Sequence, residues 1–438
     1  MSNIKQIFNK IFQQDQSFNS MYNKIGYQYA GPILFNYVWW VLYTAKKDNI
    51  KTLYFIARDG YPLYNIANII INKFSLGIKC KYLYCSRKSL ILPSLINNYE
   101  DELYNLTKYS TKCSLSILLD RINASEQDKT EIYLDVTNNL FNIDMNEQLS
   151  IDNHRKLQNY LLNSNIYIEI LKNNAKTNYD YTIGYLKQEG LFDENKVYIV
   201  DLGWAGSIQK FLNKIVKTVN PNLDIFAFYF GTLNSKYLND NNTIYKSWYF
   251  SKGNNIKHNV FFSINLMEMI STAPHGSAIS YEKLNDIYEA KLGLINEENK
   301  KVIENINSGI ISFAKYILLY IKFEEFKIKP LQDITYSICY KLMVKPTAQI
   351  VQAFSNIKHC DDISNTYSIN LIEEDDIKYL KNYQIHIKVL NKLLKKNYTE
   401  YRELVWPFGV IIQQSLLKRL WYRINIAITY YIRYKKEI

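Results

Sequence analysis

The feature that most constrains the fold is a repeated order of a short apolar run, a polar loop and an amphipathic run. This order occurs in "TLYFIA", "RDGYP" and "LYNIANIIINKF" from residue 52, and again in "VYIV", "DLGWAGS" and residues 208–216. The runs "CKYLYCS" (80–86) and "IFAFYFGTL" (225–233) predict two further buried strands. Strands that alternate with helices pair in a parallel sheet covered by helices. We therefore predict an α/β fold with a parallel-sheet, Rossmann-like core.

The remaining regions read as helical and predict how the chain is organised. Its 438 residues exceed the usual size of a single core. We expect an N-terminal helical segment over 1–50 and an α/β core over 51–285 with a helical insertion at about 100–180. We also expect a helical C-terminal region over 286–438 that ends in a basic amphipathic stretch.

Composition excludes several classes of protein. Hydrophobic residues make up 47% of the chain, with only 14 Gly and 8 Pro, which excludes a disordered or fibrous protein. The five cysteines are an odd number without a CxxC pair, and the N-terminus lacks the parts of a signal peptide. No apolar run approaches the ~20 residues of a membrane span. We expect a cytoplasmic protein, with peripheral contact to the inner face of the cell membrane as an additional hypothesis.

The formal net charge of +12 indicates anionic partners. The C-terminal stretch "LLKRLWYRINIAITYYIRYKKEI" (416–438) mixes basic and aromatic residues and admits two interpretations. It is either an amphipathic helix that lies on an anionic membrane or a terminal helix packed on the body with a charged outer face. Nucleic acid is not an expected partner, because the sharply placed basic residues follow strands and do not line one open face.

Glycines and polar residues follow the third predicted strand, in "DLGWAGS". Gly203 and Gly206 allow a tight turn whose N–H groups point to one place where a helix begins, and Ser207 adds a hydroxyl. Such a turn is suited to hold a phosphate group. Asp201 at the strand tip is placed either to accept hydrogen bonds from sugar hydroxyls or to hold a metal ion through water.

Cations follow the first two strands. The loop "ARDG" contains Arg58, Asp59 and Gly60, and the loop "CSRK" contains Ser86, Arg87 and Lys88. A guanidinium grips phosphate oxygens in bidentate geometry. Because ligands bind at the carboxyl ends of parallel strands, we expect the three loops to meet in one crevice and to bind a compound with several phosphates.

Five segments together resemble a known family. "GYQYAGPIL", "YFIARDGYPLY", "YLYCSRKSL", "VDLGWAGSIQ" and "STAPHGSAISYE" are similar to the glycan phosphoribosyltransferase modules of bacterial surface-polysaccharide gene clusters, which are often grouped with predicted haloacid-dehalogenase-type hydrolases. The resemblance covers about residues 22–285. Within it, "VDLGWAGS" resembles the ribose-5-phosphate loop of type I phosphoribosyltransferases and "TLYFIARDGYP" resembles their pyrophosphate loop.

This resemblance implies a phosphoribosyltransferase-like fold and a transfer reaction. Phosphoribosyl pyrophosphate (PRPP) would give its ribose 5-phosphate to a hydroxyl of a lipid-linked glycan, with Mg²⁺ bound mainly through the donor and no protein metal site. The residues implied for the donor are Arg58, Gly60, Ser86, Arg87, Lys88, Asp201, Gly203, Trp204, Ala205, Gly206 and Ser207. Asp59 is the first candidate for the catalytic base, and Glu268 and His275 are the reserves.

The sequence also departs from related patterns, and alternatives stay open. Ordinary phosphoribosyltransferases carry two acids before the loop, whereas Val200 stands at the first position here. Haloacid-dehalogenase phosphatases need Asp-x-Asp, and neither Asp59 nor Asp201 begins such a motif. A separate phosphatase is therefore expected to remove the 5-phosphate. The alternatives are a phosphohydrolase and a non-catalytic binding subunit of a polysaccharide assembly complex.

Overall fold

Five parallel strands form the central sheet of the protein in a computed structural model, which describes residues 2–13, 17–110, 113–240, 243–323, 328–355, 357–359, 369–384 and 404–436. The strands are β1 (Thr52–Ile56), β2 (Lys79–Leu83), β3 (Lys196–Trp204), β4 (Asp224–Thr232) and β5 (Ile244–Phe250). Their order across the sheet is β2-β1-β3-β4-β5, and every neighbouring pair is parallel. The α/β class with a parallel sheet is thus confirmed.

Helices cover both faces of this sheet. The N-terminal half contains α1 (Ser2–Gln13), α2 (Met21–Ile25), α3 (Gly31–Lys47), α4 (Gly60–Phe74), α5 (Arg87–Ile91), α6 (Glu100–Leu106), α7 (Leu115–Arg121), α8 (Glu126–Asn139), α9 (Ile151–Leu161) and α10 (Asn165–Gln188). The rest of the described chain contains α11 (Ser207–Val219), α12 (Ile256–Val260), α13 (Ile264–Ile270), α14 (Glu297–Ile317), α15 (Ile328–Cys339), α16 (Ala348–Ser355), α17 (Asp376–Tyr379), α18 (Pro407–Val410) and α19 (Leu416–Lys436). A π-helical turn, Gly26–Ala30, joins α2 to α3.

Alternating side chains of the strands divide the interior into two cores. Leu53 and Phe55 of β1 belong to one core, and Tyr54 and Ile56 belong to the other, because successive side chains of a strand point to opposite faces. The first core receives α1, α3, α4, α14 and α15, so it draws apolar residues from Ile4 to Ile426. The second core receives the insertion helices α6 to α10 together with α11.

Two expectations about strands are corrected. β5 was not predicted, because its first four residues alternate between exposed and half-buried positions and its Lys246 pairs with Asp48 at the surface. The region after residue 285 is not helical throughout. An antiparallel hairpin of β6 (Ala278–Leu284) and β7 (Ile287–Leu292) crosses its start, and β8 (Lys358–His359) pairs with β9 (Ile369–Asn370).

Two further observations concern membrane-spanning helices and the cysteines. No helix within the described ranges has the length and apolar character needed to cross a membrane. Cys80, Cys85, Cys113 and Cys339 are free thiols, and Cys360 lies outside the described residues.

Candidate functional site

A polar cavity lies where the order of the sheet reverses, between the carboxyl ends of β1 and β3. In a doubly wound sheet with this order, the crossovers leave β1 and β3 in opposite directions, and a crevice opens between their ends. The cavity is lined by Ala57, Arg58, Asp59, Ser86, Arg87, Lys88, Asp201, Gly203, Trp204, Ala205, Ser207, Ile208, Glu268 and Ser277. The three loops predicted from the sequence therefore do meet, and of the predicted site residues only Gly60, Gly206 and His275 are outside the lining.

Two arginines supply positive charge to this cavity. Arg58 follows β1 and is half-buried, and Arg87 begins α5 and is exposed. Neither guanidinium has an ion pair or hydrogen bond with another residue in the part of the chain that the structure describes. Burial raises the pKa of the neighbouring Asp59, and both guanidiniums act against that rise. Two guanidiniums with free donors beside a cavity are suited to bind an anion with several oxygens.

Three carboxylates face these arginines. Burial raises the pKa of Asp59 well above its ordinary value, and repulsion from Glu268 and Asp201 adds to the effect. Burial likewise raises the pKa of Asp201 to about 7, although the N–H groups of Leu202 and Gly203 favour its ionised form. Their mutual repulsion makes a cation or a proton favourable here.

The strand that carries Asp201 is longer than predicted. β3 continues through Trp204, and Gly203 and Trp204 pair with Gly231 and Thr232 of β4. The predicted loop "DLGWAGS" is therefore mostly strand, and only Ala205 and Gly206 separate it from α11. The close pairing requires a glycine, because a Cβ at position 203 would lie 2.6 Å from the carbonyl oxygen of Gly231.

The start of α11 borders the cavity with unpaired N–H groups. Gly206 is its N-cap residue, with a φ of 74° and no side chain to accept a bond from the first turn. The first N–H groups of a helix have no partner inside that helix. Ser235 holds the preceding turn by donating its hydroxyl to the carbonyl of Ala205. The turn thus presents Ser207 and the helix dipole towards the cavity.

Trp204 and Glu268 close another side of the cavity. The indole Nε1 of Trp204 donates to Oε1 of Glu268 at 2.9 Å. The ring stacks on Phe250, with centroids 6.1 Å apart, and also contacts Phe262. Trp204 has a φ of 72°, which is rare for a bulky residue and is retained only where surrounding contacts enforce it.

Two predicted donor-binding residues have structural partners instead. Ser86 is the N-cap of α5, forms a reciprocal capping box with Ser89, and donates its hydroxyl to the carbonyl of Ala278. Lys88 is buried and its ammonium donates to the carbonyl of Asp120 in the insertion. Both residues line the cavity. The resemblance implies that the Lys88 ammonium binds the donor, but this ammonium is hydrogen-bonded to the backbone of α7, which does not fit that role.

His275 and Gly60 lie beside the cavity. His275 packs against the rings of Tyr61, Tyr82 and Tyr84, its Nε2 is 2.8 Å from the hydroxyl of Tyr82, and its Nδ1 is 2.8 Å from the carbonyl of Gly276. Burial lowers the pKa of His275, and Arg58 lowers it further. His275 lies outside the cavity lining, and its implied role as a reserve base stays a prediction. Gly60 begins α4 and packs against Phe55.

Two residues that contribute to the site were not predicted from the sequence. The hydroxyl of Tyr37 in α3 lies 2.8 Å from the carbonyl oxygen of Asp201 and 2.7 Å from that of Phe228, so it ties β3 to β4 beneath the cavity. Nothing in the local sequence marks Tyr37, which is 164 residues from Asp201. Ser277 carries a signal, since it lies in the segment "STAPHGSAISYE" that the resemblance includes.

The carboxylate oxygens at the cavity suit a metal ion that enters together with a bound ligand. Within the described residues, no three His, Cys, Asp or Glu side chains are grouped to hold a metal. Asp59 and Asp201 offer carboxylate oxygens to the cavity, and Mg²⁺ prefers oxygen ligands while it keeps several waters.

The comparisons with known proteins name no family for this chain. No protein-family model matches it, and no curated protein matches it significantly.

Proposed function

We propose that this protein transfers ribose 5-phosphate from PRPP to a hydroxyl of a bacterial surface-polysaccharide glycan and releases pyrophosphate. One observation carries the proposal: two arginines without ion pairs and the uncapped start of α11 meet at a single cavity. PRPP carries a monophosphate at one end and a diphosphate at the other. The cavity offers binding groups of the appropriate kind for both ends, and the doubly wound sheet is compatible with a phosphoribosyltransferase-like core.

The 5-phosphate is assigned to the turn before α11. The N–H groups of the first turn of α11 and the hydroxyl of Ser207 are the hydrogen-bond donors on this side of the cavity. Asp201 lies in β3, which ends at Trp204 beside this turn, and it accepts hydrogen bonds from the ribose hydroxyls. A single carboxylate then binds the ribose hydroxyls, for which ordinary phosphoribosyltransferases use two.

The diphosphate is assigned to Arg58 and Arg87. Their guanidiniums stabilise the negative charge that develops on the leaving pyrophosphate, and such fixed charge is usually the largest catalytic contribution. Mg²⁺ bound to the diphosphate would supply further charge neutralisation and would meet Asp59 and Asp201 through its water shell.

Asp59 is the proposed base. The acceptor oxygen forms a bond to C1 of the ribose, the bond from C1 to the pyrophosphate oxygen breaks with its electron pair on pyrophosphate, and the hydroxyl proton passes to the Asp59 carboxylate. A carboxylate with a raised pKa accepts a proton more readily once ionised. Glu268, anchored by Trp204, adds negative charge that stabilises the cationic ribosyl group.

A pyrophosphate-release assay tests this proposal. Purified protein, PRPP and Mg²⁺ are incubated with and without a lipid-linked oligosaccharide acceptor, and pyrophosphate and phosphate are measured separately. Acceptor-dependent pyrophosphate release with ribose 5-phosphate on the product supports transfer. Release of free phosphate would assign the alternative phosphohydrolase, and PRPP binding without turnover on a panel of acceptors would assign the binding subunit.

A further inference from the structure

The C-terminal helix α19 exposes an apolar stripe along its length. The stripe consists of Leu417, Leu420, Ile424, Ile428 and Tyr431, which follow the three- and four-residue spacing of one helix face. Leu417 is 82% exposed and Ile424 is 52% exposed. Water-facing helix positions are normally polar, so a stripe of this length indicates a surface that contacts an apolar phase.

The opposite face of α19 is already packed. Ile426 is fully buried, and Asn425 and Thr429 are buried beside it. Thr429 donates to the carbonyl of Tyr383, and Nε of Arg423 donates to the carbonyl of Val344. The helix is therefore fixed on the body with the stripe outward. The prediction of a packed terminal helix with a charged outer face is only partly met, because that outer face is apolar.

Basic residues surround the stripe. Lys and Arg occur six times between Leu416 and Lys436, and Asp and Glu do not occur there. By helix periodicity, Lys418 lies beside the stripe and Lys435 lies at its end, and both side chains are exposed. An apolar face bordered by cations complements a surface that presents acyl chains beneath anionic headgroups.

The position of α19 links this surface to the candidate site. Tyr434 lines a small hollow with Thr232 and Ser251, which lie at the carboxyl ends of β4 and β5. The carboxyl edge of the sheet also holds the cavity of Arg58 and Asp201. The C-terminal end of α19 therefore lies at the same edge of the sheet as the cavity.

We propose that the α19 stripe docks the protein on an anionic lipid bilayer, with the helix lying in the plane of the headgroups. The stripe inserts among the acyl chains, while Lys418 and Lys435 contact the headgroups. This inference does not depend on the proposed transfer reaction, and its test does not use that activity.

Vesicle co-sedimentation of the full chain tests the docking. The probes are vesicles of phosphatidylcholine alone and of phosphatidylcholine with phosphatidylglycerol. The variant Leu420→Ser/Ile424→Ser removes part of the stripe, and the variant Lys418→Gln/Lys435→Gln removes two flanking charges. Matched controls are Leu294→Ser/Leu319→Ser, which changes two exposed leucines elsewhere, and Lys73→Gln/Lys79→Gln, which removes two exposed lysines near the end of α4.

We expect binding to the anionic vesicles that weakens about tenfold in each α19 variant and stays unchanged in the controls. Equal binding to both vesicle types, or equal loss in the control variants, overturns the proposal. Sedimentation velocity without vesicles tests whether the stripe forms a dimer interface. If the stripe instead joins two copies of the chain, the wild type dimerises, the stripe variant is monomeric, and neither binds vesicles. Thermal melting confirms that each variant is folded.

Discussion

The indole N–H of Trp204 donates to the carboxylate of Glu268 at 2.9 Å, and this bond joins the end of β3 to α13 across the candidate site. The backbone at position 204, which carries this donor, has a positive φ. The bond holds the Glu268 carboxylate at the cavity wall, and the proposed function assigns this charge to the stabilisation of a cationic ribosyl group.

Replacing this donor tests the role of the bond. In Trp204→Phe the ring contacts with Phe250 and Phe262 remain in kind, but the donor is lost. We expect kcat to fall about tenfold with little change in the Kd of PRPP, since a hydrogen bond to a charged group contributes about 1.5–3 kcal/mol. The control is Trp248→Phe, because the buried indole of Trp248 has no hydrogen-bond partner in the described structure. Equal losses in the two variants would contradict the assignment.

The arginines are predicted to bind the diphosphate end of the donor. Arg58→Lys and Arg87→Lys keep the charge but lose the bidentate geometry, so each should raise the Kd of PRPP about tenfold. Calorimetry with ribose 5-phosphate alone should show no change, because that ligand lacks the diphosphate. Arg155→Lys on the exposed face of α9 is the control. A matching loss of ribose 5-phosphate affinity would refute the division of the cavity into two ends.

Gly206 is predicted to be required for both the turn and the phosphate site. In Gly206→Ala the positive φ is retained at a cost of about 1–2 kcal/mol, and the new Cβ would lie 2.4 Å from the Leu238 side chain. Gly77→Ala is a matched control, because Gly77 also has a positive φ but would place its Cβ in open space. Denaturant unfolding should show a loss in both variants and a larger one at Gly206. Only Gly206→Ala should weaken ribose 5-phosphate binding.

The pH dependence of stability should report on Asp201. Its pKa is raised from the ordinary 3.8 to about 7, so between these values the folded protein keeps a proton that the unfolded chain releases. The free energy of unfolding therefore falls as pH rises through this range, by up to about 1.4 kcal/mol per pH unit from this group. The raised pKa of Asp59 also makes the free energy of unfolding fall as pH rises. The lowered pKa of His275 has the opposite effect, because below its ordinary pKa of 6.5 the unfolded chain binds a proton that the folded protein does not.

The comparison with Asp201→Asn isolates this contribution. The variant should show a shallower decline in unfolding free energy between pH 4 and pH 7, whatever its absolute stability. The exposed residue Asp180 supplies the control Asp180→Asn, which should keep the slope of the wild type. An unchanged slope in Asp201→Asn would show that this carboxyl does not retain its proton.

Short local patterns predicted much of the site. The apolar runs of β1 and β3 are buried over nearly their whole length, and such strands are recognisable from sequence. β5 was missed because its first residues are half-exposed and carry no continuous apolar run. The extension of β3 through Trp204 was missed for another reason: it depends on Gly203 lying against Gly231 of the next strand, a contact between distant residues.

The sequence by itself determined the α/β class and the residue types at the cavity, because polar loops that follow parallel strands collect at one edge of the sheet. The tertiary structure alone decided which of those groups have partners within the protein and which do not. Lys88 and His275 are hydrogen-bonded to Asp120 and Tyr82, whereas the guanidiniums of Arg58 and Arg87 have no partner among the described residues. The physical reason is that a buried polar group must find a partner, and the partners here come from segments far away in the chain.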